Sequence, residues 1–143
     1  MMKMRKILIS LLLIATISCI GSKPVSDPKA EKAAIKAAKS WLTLVDNEKY
    51  PESWEQAAQY FKGAVTKEQW VKAIKAARKS FGKNISRKLK SKRYYTSLPG
   101  APDGKYVVIQ FKSSFENKKS AIETITPMLN KDGKWRVSGY FIK

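Results

Sequence analysis

The feature that most constrains this chain is a change of hydropathic period at Gly82. Before it, apolar residues recur every three or four positions, as on one face of a helix. After it they recur every second position, as on one face of a strand. Asp27-Pro28 pairs an N-cap side chain with a proline at the first helical position. Ala30, Ala34, Ala37, Trp41 and Val45 then form a stripe, with Lys29, Lys32, Lys36 and Lys39 interleaved, predicting a helix to about Asp46. A second helix is expected from Glu52 to Phe61, with Trp54, Ala57, Ala58 and Phe61 on one side. Thr66 to Gln69 has the pattern of a capping box, and the stripe Trp70, Ile74, Ala77, Phe81 ends at Gly82, a natural helix stop.

Alternation over 85–98 puts Ile85, Leu89 and Tyr95 on one strand face and Lys88, Lys90 and Lys92 on the other. Leu98 to Gly104 is a loop rich in proline and glycine. Residues 105–115 place Val107, Ile109, Phe111 and Phe115 on one face, and two further strands cover 121–130 and 134–142. Asp132-Gly133 between the last two is a hairpin signal. A two-residue loop there sets Asn130 opposite Trp135, Met128 opposite Val137 and Thr124 opposite Phe141. Trp135, Val137 and Phe141 would then face the helices. Helices first and antiparallel strands second predict an α+β domain, three N-terminal helices packed on a four-stranded antiparallel meander sheet. The likeness of "KAAIKAAKSW" to "KAIKAARKSF" reflects shared alanine and lysine composition, since the first is followed by another helix and not by a strand.

The first eighteen residues form an address. Lys3, Arg5 and Lys6 precede an apolar run from Ile7 to Ile17, shorter than the roughly 20 residues a permanent span needs. Cys19, the only cysteine, follows small Ser18, where a lipoprotein signal places its lipid acceptor. Thr16 stands where such signals usually carry an aliphatic residue, and the alternative is ordinary secretory cleavage to a soluble periplasmic or secreted protein. The expected organisation is a signal at 1–18, a tether at 19–27 and one domain at 28–143. Loss of 1–18 removes three of 29 basic residues and none of the 11 acidic ones. The mature chain keeps 26 Lys+Arg against 11 Asp+Glu, a formal charge of +15. Such a charge attracts polyanions. For an exported protein these are anionic lipid or polysaccharide, and nucleic acid is not expected.

The absence of histidine excludes a histidine-dependent triad and any histidine metal site, and one cysteine cannot form an internal disulfide or a thiolate zinc site. No cofactor motif is present: the Leu98–Gly104 loop lacks the Lys-Ser/Thr ending of a phosphate-binding loop.

The segments "SWLTLVDNEKYPESWEQAAQYFKGAVTKEQWVKAIKAARKSFG" and "LPGAPDGKYVVIQFKSSFENKKSAIETITPMLNKDGKWRVSGYFIK" resemble a bacterial exported family known as domain of unknown function 4019. The resemblance spans about Ser40 to Lys143, with its specific blocks at the Leu98–Phe111 and Asp132–Ile142 segments. It implies a small α+β domain of cystatin-like or nuclear-transport-factor-2-like outline, and no transferable activity. Pro127 departs from the aliphatic residue more usual in that strand. Proline lacks the N–H that a central strand uses, so a bulge or an edge position is expected there.

Four sets of residues are candidates for a site. Trp41, Trp54, Trp70 and Trp135 lie on apolar stripes and are expected in the core more than around a ligand. Glu123 shares a predicted face with Ile125, Arg136 and Tyr140. A half-buried carboxylate needs a partner, which Arg136 or Tyr140 would supply; the three are either a structural network or a ligand anchor. Lys88, Lys90 and Lys92 form either a strip for an anionic surface or a solvated strand face that discourages edge pairing. Asp46, Glu48 and Glu52 cluster between helices. The readings that survive are a lipid-anchored, non-enzymatic binding module and a small hydrolase or lyase using Glu123 or Asp46 as base. No residue is assigned a catalytic role.

Overall fold

The computed structural model describes residues 26–143. The expected signal, Cys19 and most of the expected tether lie outside the described residues. Helix α1 spans Pro28–Asp46, and the Asp27 side chain accepts the Ala30 N–H at 3.1 Å, the expected cap. Its buried face is Ala34, Ala38, Trp41, Leu42 and Val45. The single second helix predicted from Glu52 to Phe61 is instead two short ones, α2 (Tyr50–Glu55) and α3 (Gln59–Ala64), so four helices precede the sheet. The break is imposed by the sheet. Ala57 and Ala58 are buried, Ala58 is extended, and its N–H donates to the Val137 carbonyl at 2.8 Å. Small side chains let the backbone come that close, and the strand bond replaces a helical one. Helix α4 (Lys67–Phe81) starts in the predicted capping box of Thr66 and Gln69. It ends at Gly82, where φ is +77° and a Cβ would meet Glu116 Cβ at 2.9 Å.

Strands β1 (Asn84–Tyr95), β2 (Tyr106–Phe115), β3 (Lys118–Leu129) and β4 (Trp135–Ile142) form one antiparallel sheet in chain order. The fold class is therefore the α+β meander expected. Val107, Ile109, Phe111 and Phe115 are all buried on one face of β2, as alternation predicts. They meet Trp41, Leu42, Phe61, Trp70 and Ile74 from the helices, or Phe81 in the case of Phe115. A smaller cluster of Tyr95, Leu98 and Tyr106 closes the other face beneath the 98–104 loop.

Bulges overturn parts of the predicted strand faces. Lys90 is an extra residue in β1, between Leu89 opposite Phe111 and Ser91 opposite Gln110. A bulge exchanges the two faces of everything beyond it. Lys88 stays on the outer face opposite Lys112, whereas Lys92 turns to the helix face opposite Ile109, so Lys88, Lys90 and Lys92 do not share a face. Tyr95 likewise leaves the face of Leu89, and Ile85 and Leu89 remain exposed on this edge strand.

At the last hairpin the loop is three residues, not two. Asn130 N–H donates to the Lys134 carbonyl, Gly133 N–H to the Asn130 carbonyl, and Gly133 takes φ +79°. This is the turn-plus-bulge form in which glycine supplies the left-handed residue. Leu129 thus faces Trp135 and Pro127 faces Val137, instead of the predicted Asn130/Trp135 and Met128/Val137 pairs. A second irregularity between Thr126 and Pro127, with Ser138 as the extra residue, restores Ile125 opposite Tyr140 and Thr124 opposite Phe141. The bulge predicted from Pro127 is present. It puts Tyr140 and Ile142, not Phe141, beside Val137 on the helix side, and leaves Arg136 on the outer face.

Candidate functional site

The aromatic set is structural. Trp41 and Trp70 are buried, with ring centroids 5.7 Å apart, and Tyr140 stands 5.4 Å from Trp41. Trp54 and Trp135 pack against the same core. A buried indole needs an acceptor. Trp41 Nε1 donates to the Ser53 carbonyl at 2.8 Å and Trp70 Nε1 to Ser53 Oγ at 2.9 Å, so one serine of α2 ties α1 to α4. These side chains fill the space between α1, α4 and the sheet.

Glu123 is fully buried on β3 and is the centre of a charge network. Its Oε1 accepts from Arg87 Nε at 2.6 Å and Ser113 Oγ at 2.5 Å; its Oε2 accepts from Arg87 Nη2 at 3.2 Å and Tyr140 Oη at 2.5 Å. Arg87 also grips Asp46 with Nη1 at 2.8 Å and Nη2 at 3.1 Å, and Asp46 receives Arg78 Nη2 at 2.7 Å. Two guanidiniums thus neutralise two carboxylates in a chain from α4 through α1 to β1 and β3. The Arg78 guanidinium lies 5.0 Å from the Phe115 ring centroid, a cation–π contact, while its Nε and Nη1 have no hydrogen-bond partner among the described residues.

The titration behaviour follows. Burial pushes the Asp46 carboxyl up, but hydrogen bonds and charge from Arg87 and Arg78 outweigh it and hold the group below its usual value. Burial works against the Arg87 charge, yet Asp46 and Glu123 keep that guanidinium more firmly protonated than usual. Burial, then the Glu123 charge and hydrogen bond, push the Tyr140 phenol well above its ordinary range.

Tyr140 is the partner of Glu123 that the hairpin register implied. Arg136 is not. The Pro127 bulge turns it outward, where it binds Asp132 at 2.8 Å. Asp46 stands apart from Glu48 and Glu52, which are exposed. Arg78, Arg87 and Ser113 were not singled out in the sequence. Arg78 did carry a signal, because it falls four residues after Ile74 and eight after Trp70, on the apolar stripe of α4. A charge at such a position is either a mistake in the stripe or a buried ion pair.

Ligand-sized space lies at the surface. A groove of about 930 Å³ opens between the α2–α3 region, the 98–104 loop and the β3–β4 hairpin, lined in part by Gln59, Tyr60, Asp103, Met128, Asp132 and Arg136. Tyr60 Oη donates to the Gly100 carbonyl at 3.0 Å and Tyr106 Oη to the Pro102 carbonyl at 2.6 Å, which hold the loop as one wall. The hydrogen bond from Arg136, with that from the Lys134 N–H, keeps the Asp132 carboxyl below its usual value. Among the described residues no cluster of three or more acidic or cysteine side chains is placed to hold a metal ion, and no helix is long and apolar enough to cross a membrane.

The family profile described as protein of unknown function (DUF4019) matches residues 37–140. The chain belongs to that family. No curated protein matches it. The two blocks that carry the resemblance end up side by side in this DUF4019 domain. Pro102 to Gly104 form one wall of the groove, and Asp132 and Arg136 belong to another.

Proposed function

We propose that the chain is an exported, lipid-anchored envelope protein whose domain works by binding rather than catalysis. The observation that carries the second half is the saturation of Glu123. Both its oxygens already accept two donors, and it has no exposed surface, so no substrate reaches it without dismantling the core. Asp46, the other base a hydrolase or lyase would use, is held by two arginines. The surface groove offers space for a ligand, and its walls come in part from loops, where binding residues commonly sit. The helix-on-sheet arrangement suits the cystatin-like or nuclear-transport-factor-2-like outline implied by the resemblance.

The anchor rests on the basic start, the short apolar run and the single Cys19. In cells fed an alkyne fatty acid, the wild-type protein should take up label and sediment with membranes, and Cys19→Ala should do neither. A wild-type protein without lipid, whose mature N-terminus lies elsewhere, would end the lipoprotein reading.

A further inference from the structure

Helix α1 presents two unlike faces. At 100° per residue, Lys29, Lys32, Lys36 and Lys39 fall within an arc of about 80°, opposite the buried Ala34, Ala38, Trp41 and Val45. All four lysines are exposed, and none is in an ion pair among the described residues. The one acidic residue inside the helix before its last, Glu31, points away, buried and 3.7 Å from Lys92 Nζ. The lysines line a shallow depression of about 650 Å³ together with Ala33, Ile35 and Ser40. Apolar stems along an open helix face, with ammonium heads free to reach outward, suit a flat anionic surface better than a shaped ligand.

We infer that this face of α1 docks on the anionic phospholipid of the membrane that holds the Cys19 anchor, and so fixes how the domain is oriented on it. The inference rests on the proposed anchor for its geometry. Eight residues separate Cys19 from Pro28, a reach of at most about 30 Å, and the lysine face begins at the end of that reach. The other occupant close at hand is the chain's own segment from Cys19 to Val25. It carries one lysine and no acidic residue, and has no charge with which to hold four lysines. The strip predicted on β1 does not compete, since Lys92 is drawn to Glu31 on the opposite face from Lys88.

Each lysine near an anionic leaflet is worth about fivefold in partitioning, and the effect fades over about 10 Å at 0.1 M salt. The direct test uses the chain from residue 19 with Cys19→Ala, shown to be folded by a cooperative melt. It should sediment with vesicles containing phosphatidylglycerol and not with pure phosphatidylcholine vesicles, and should be released by 0.5 M salt. Changing Lys29, Lys32, Lys36 and Lys39 together to Gln should weaken vesicle binding at least a hundredfold. The same change at Lys72, Lys75 and Lys79 on α4 should weaken it far less. Equal losses from the two sets, or retention on an anionic polysaccharide column without vesicle binding, would overturn the lipid assignment. The intact lipidated protein gives a second reading in reconstituted vesicles. A membrane-impermeant amine reagent should modify the α1 lysines several-fold more slowly than the α4 lysines when the lipid is anionic, and at similar rates when it is neutral. Similar rates in both lipids would refute the docking. Loss of the anchor alone leaves the vesicle experiment unaffected, so the two claims fail separately.

Discussion

The charged residues of this domain live under two regimes. In the interior, Arg78, Asp46, Arg87 and Glu123 form a chain in which each charge meets its opposite at hydrogen-bond distance. Along α1, four lysines of the same sign face water side by side. The difference lies in solvation. Water supports an unpaired ammonium at little cost, whereas a buried ion without a partner costs several kcal/mol. Charge inside the fold is therefore committed to holding its layers together, and charge outside is free to meet a partner.

The largest effect that would sharpen this contrast is expected at Glu123. Glu123→Leu leaves Arg87 buried with half its partners, and the domain should lose about 3–5 kcal/mol in urea unfolding. Glu123→Gln keeps the shape and one of the two accepting oxygens and should cost less, about 1–3 kcal/mol. Losses below 1 kcal/mol for both would mean that the interior charges are as dispensable as surface ones, and the comparison would collapse.

Asp46 comes next. Its pKa in the fold lies below the unfolded value, so its contribution is present above about pH 4 and is lost as pH falls through the folded pKa. Asp46→Asn should cost about 1–3 kcal/mol at neutral pH and flatten the acid limb of a stability–pH profile. An unchanged acid limb would assign the acid response to other carboxylates.

Tyr140 should respond at the other end of the scale. Its pKa is raised by folding, so its contribution is complete below about pH 10 and is lost as pH climbs toward the folded pKa. Tyr140→Phe should lose about 1.5–3 kcal/mol at neutral pH with its hydrogen bond to the carboxylate, and lose the alkaline sensitivity as well. The smallest effect belongs to α1. Changing all four lysines to Gln should leave the melting midpoint where it is, since exposed side chains without partners carry little folding energy. A clear fall would show that these lysines belong to the fold after all.

How much of this was legible depended on whether local chemistry or distant pairing decided each feature. The Asp27 cap, the Thr66–Gln69 box and the Gly82 stop depend on neighbours three or four residues away, and each formed as expected. The tryptophan core followed from periodicity alone. The helix break at Ala57-Ala58 did not, because its cause is the Val137 carbonyl on a strand nearly eighty residues later. The bulge at Lys90 has no local signature, and unbroken alternation therefore predicts a lysine strip that the fold does not contain. The bulge at Pro127 did have one, the missing N–H of proline. Its effect on parity is what separates Arg136 from Glu123, since unbroken alternation puts the two on one face. Half of the polar network was visible as the Glu123–Tyr140 pair. The rest required α4 and β1 to meet α1, which no alternation pattern encodes.

The turn at Gly82 divides the chain into a helical half and a sheet half, so every helix–strand contact joins residues from different halves. The meander can form from successive hairpins, and the helices can form around their own caps, before the two are brought together. Asp46 and Arg78 belong to the first half, Arg87 and Glu123 to the second, so the bonds linking the Asp46–Arg78 pair to the sheet are expected late in folding. Contacts completed after the rate-limiting barrier act as a latch, slowing escape without hastening arrival. In stopped-flow kinetics, Asp46→Asn, which weakens the Arg87–Asp46 bond between the halves, should therefore speed unfolding and leave the refolding rate nearly unchanged; a slowed refolding arm would place that bond in the folding nucleus instead. Such a latch sets how long a molecule stays folded once it has formed.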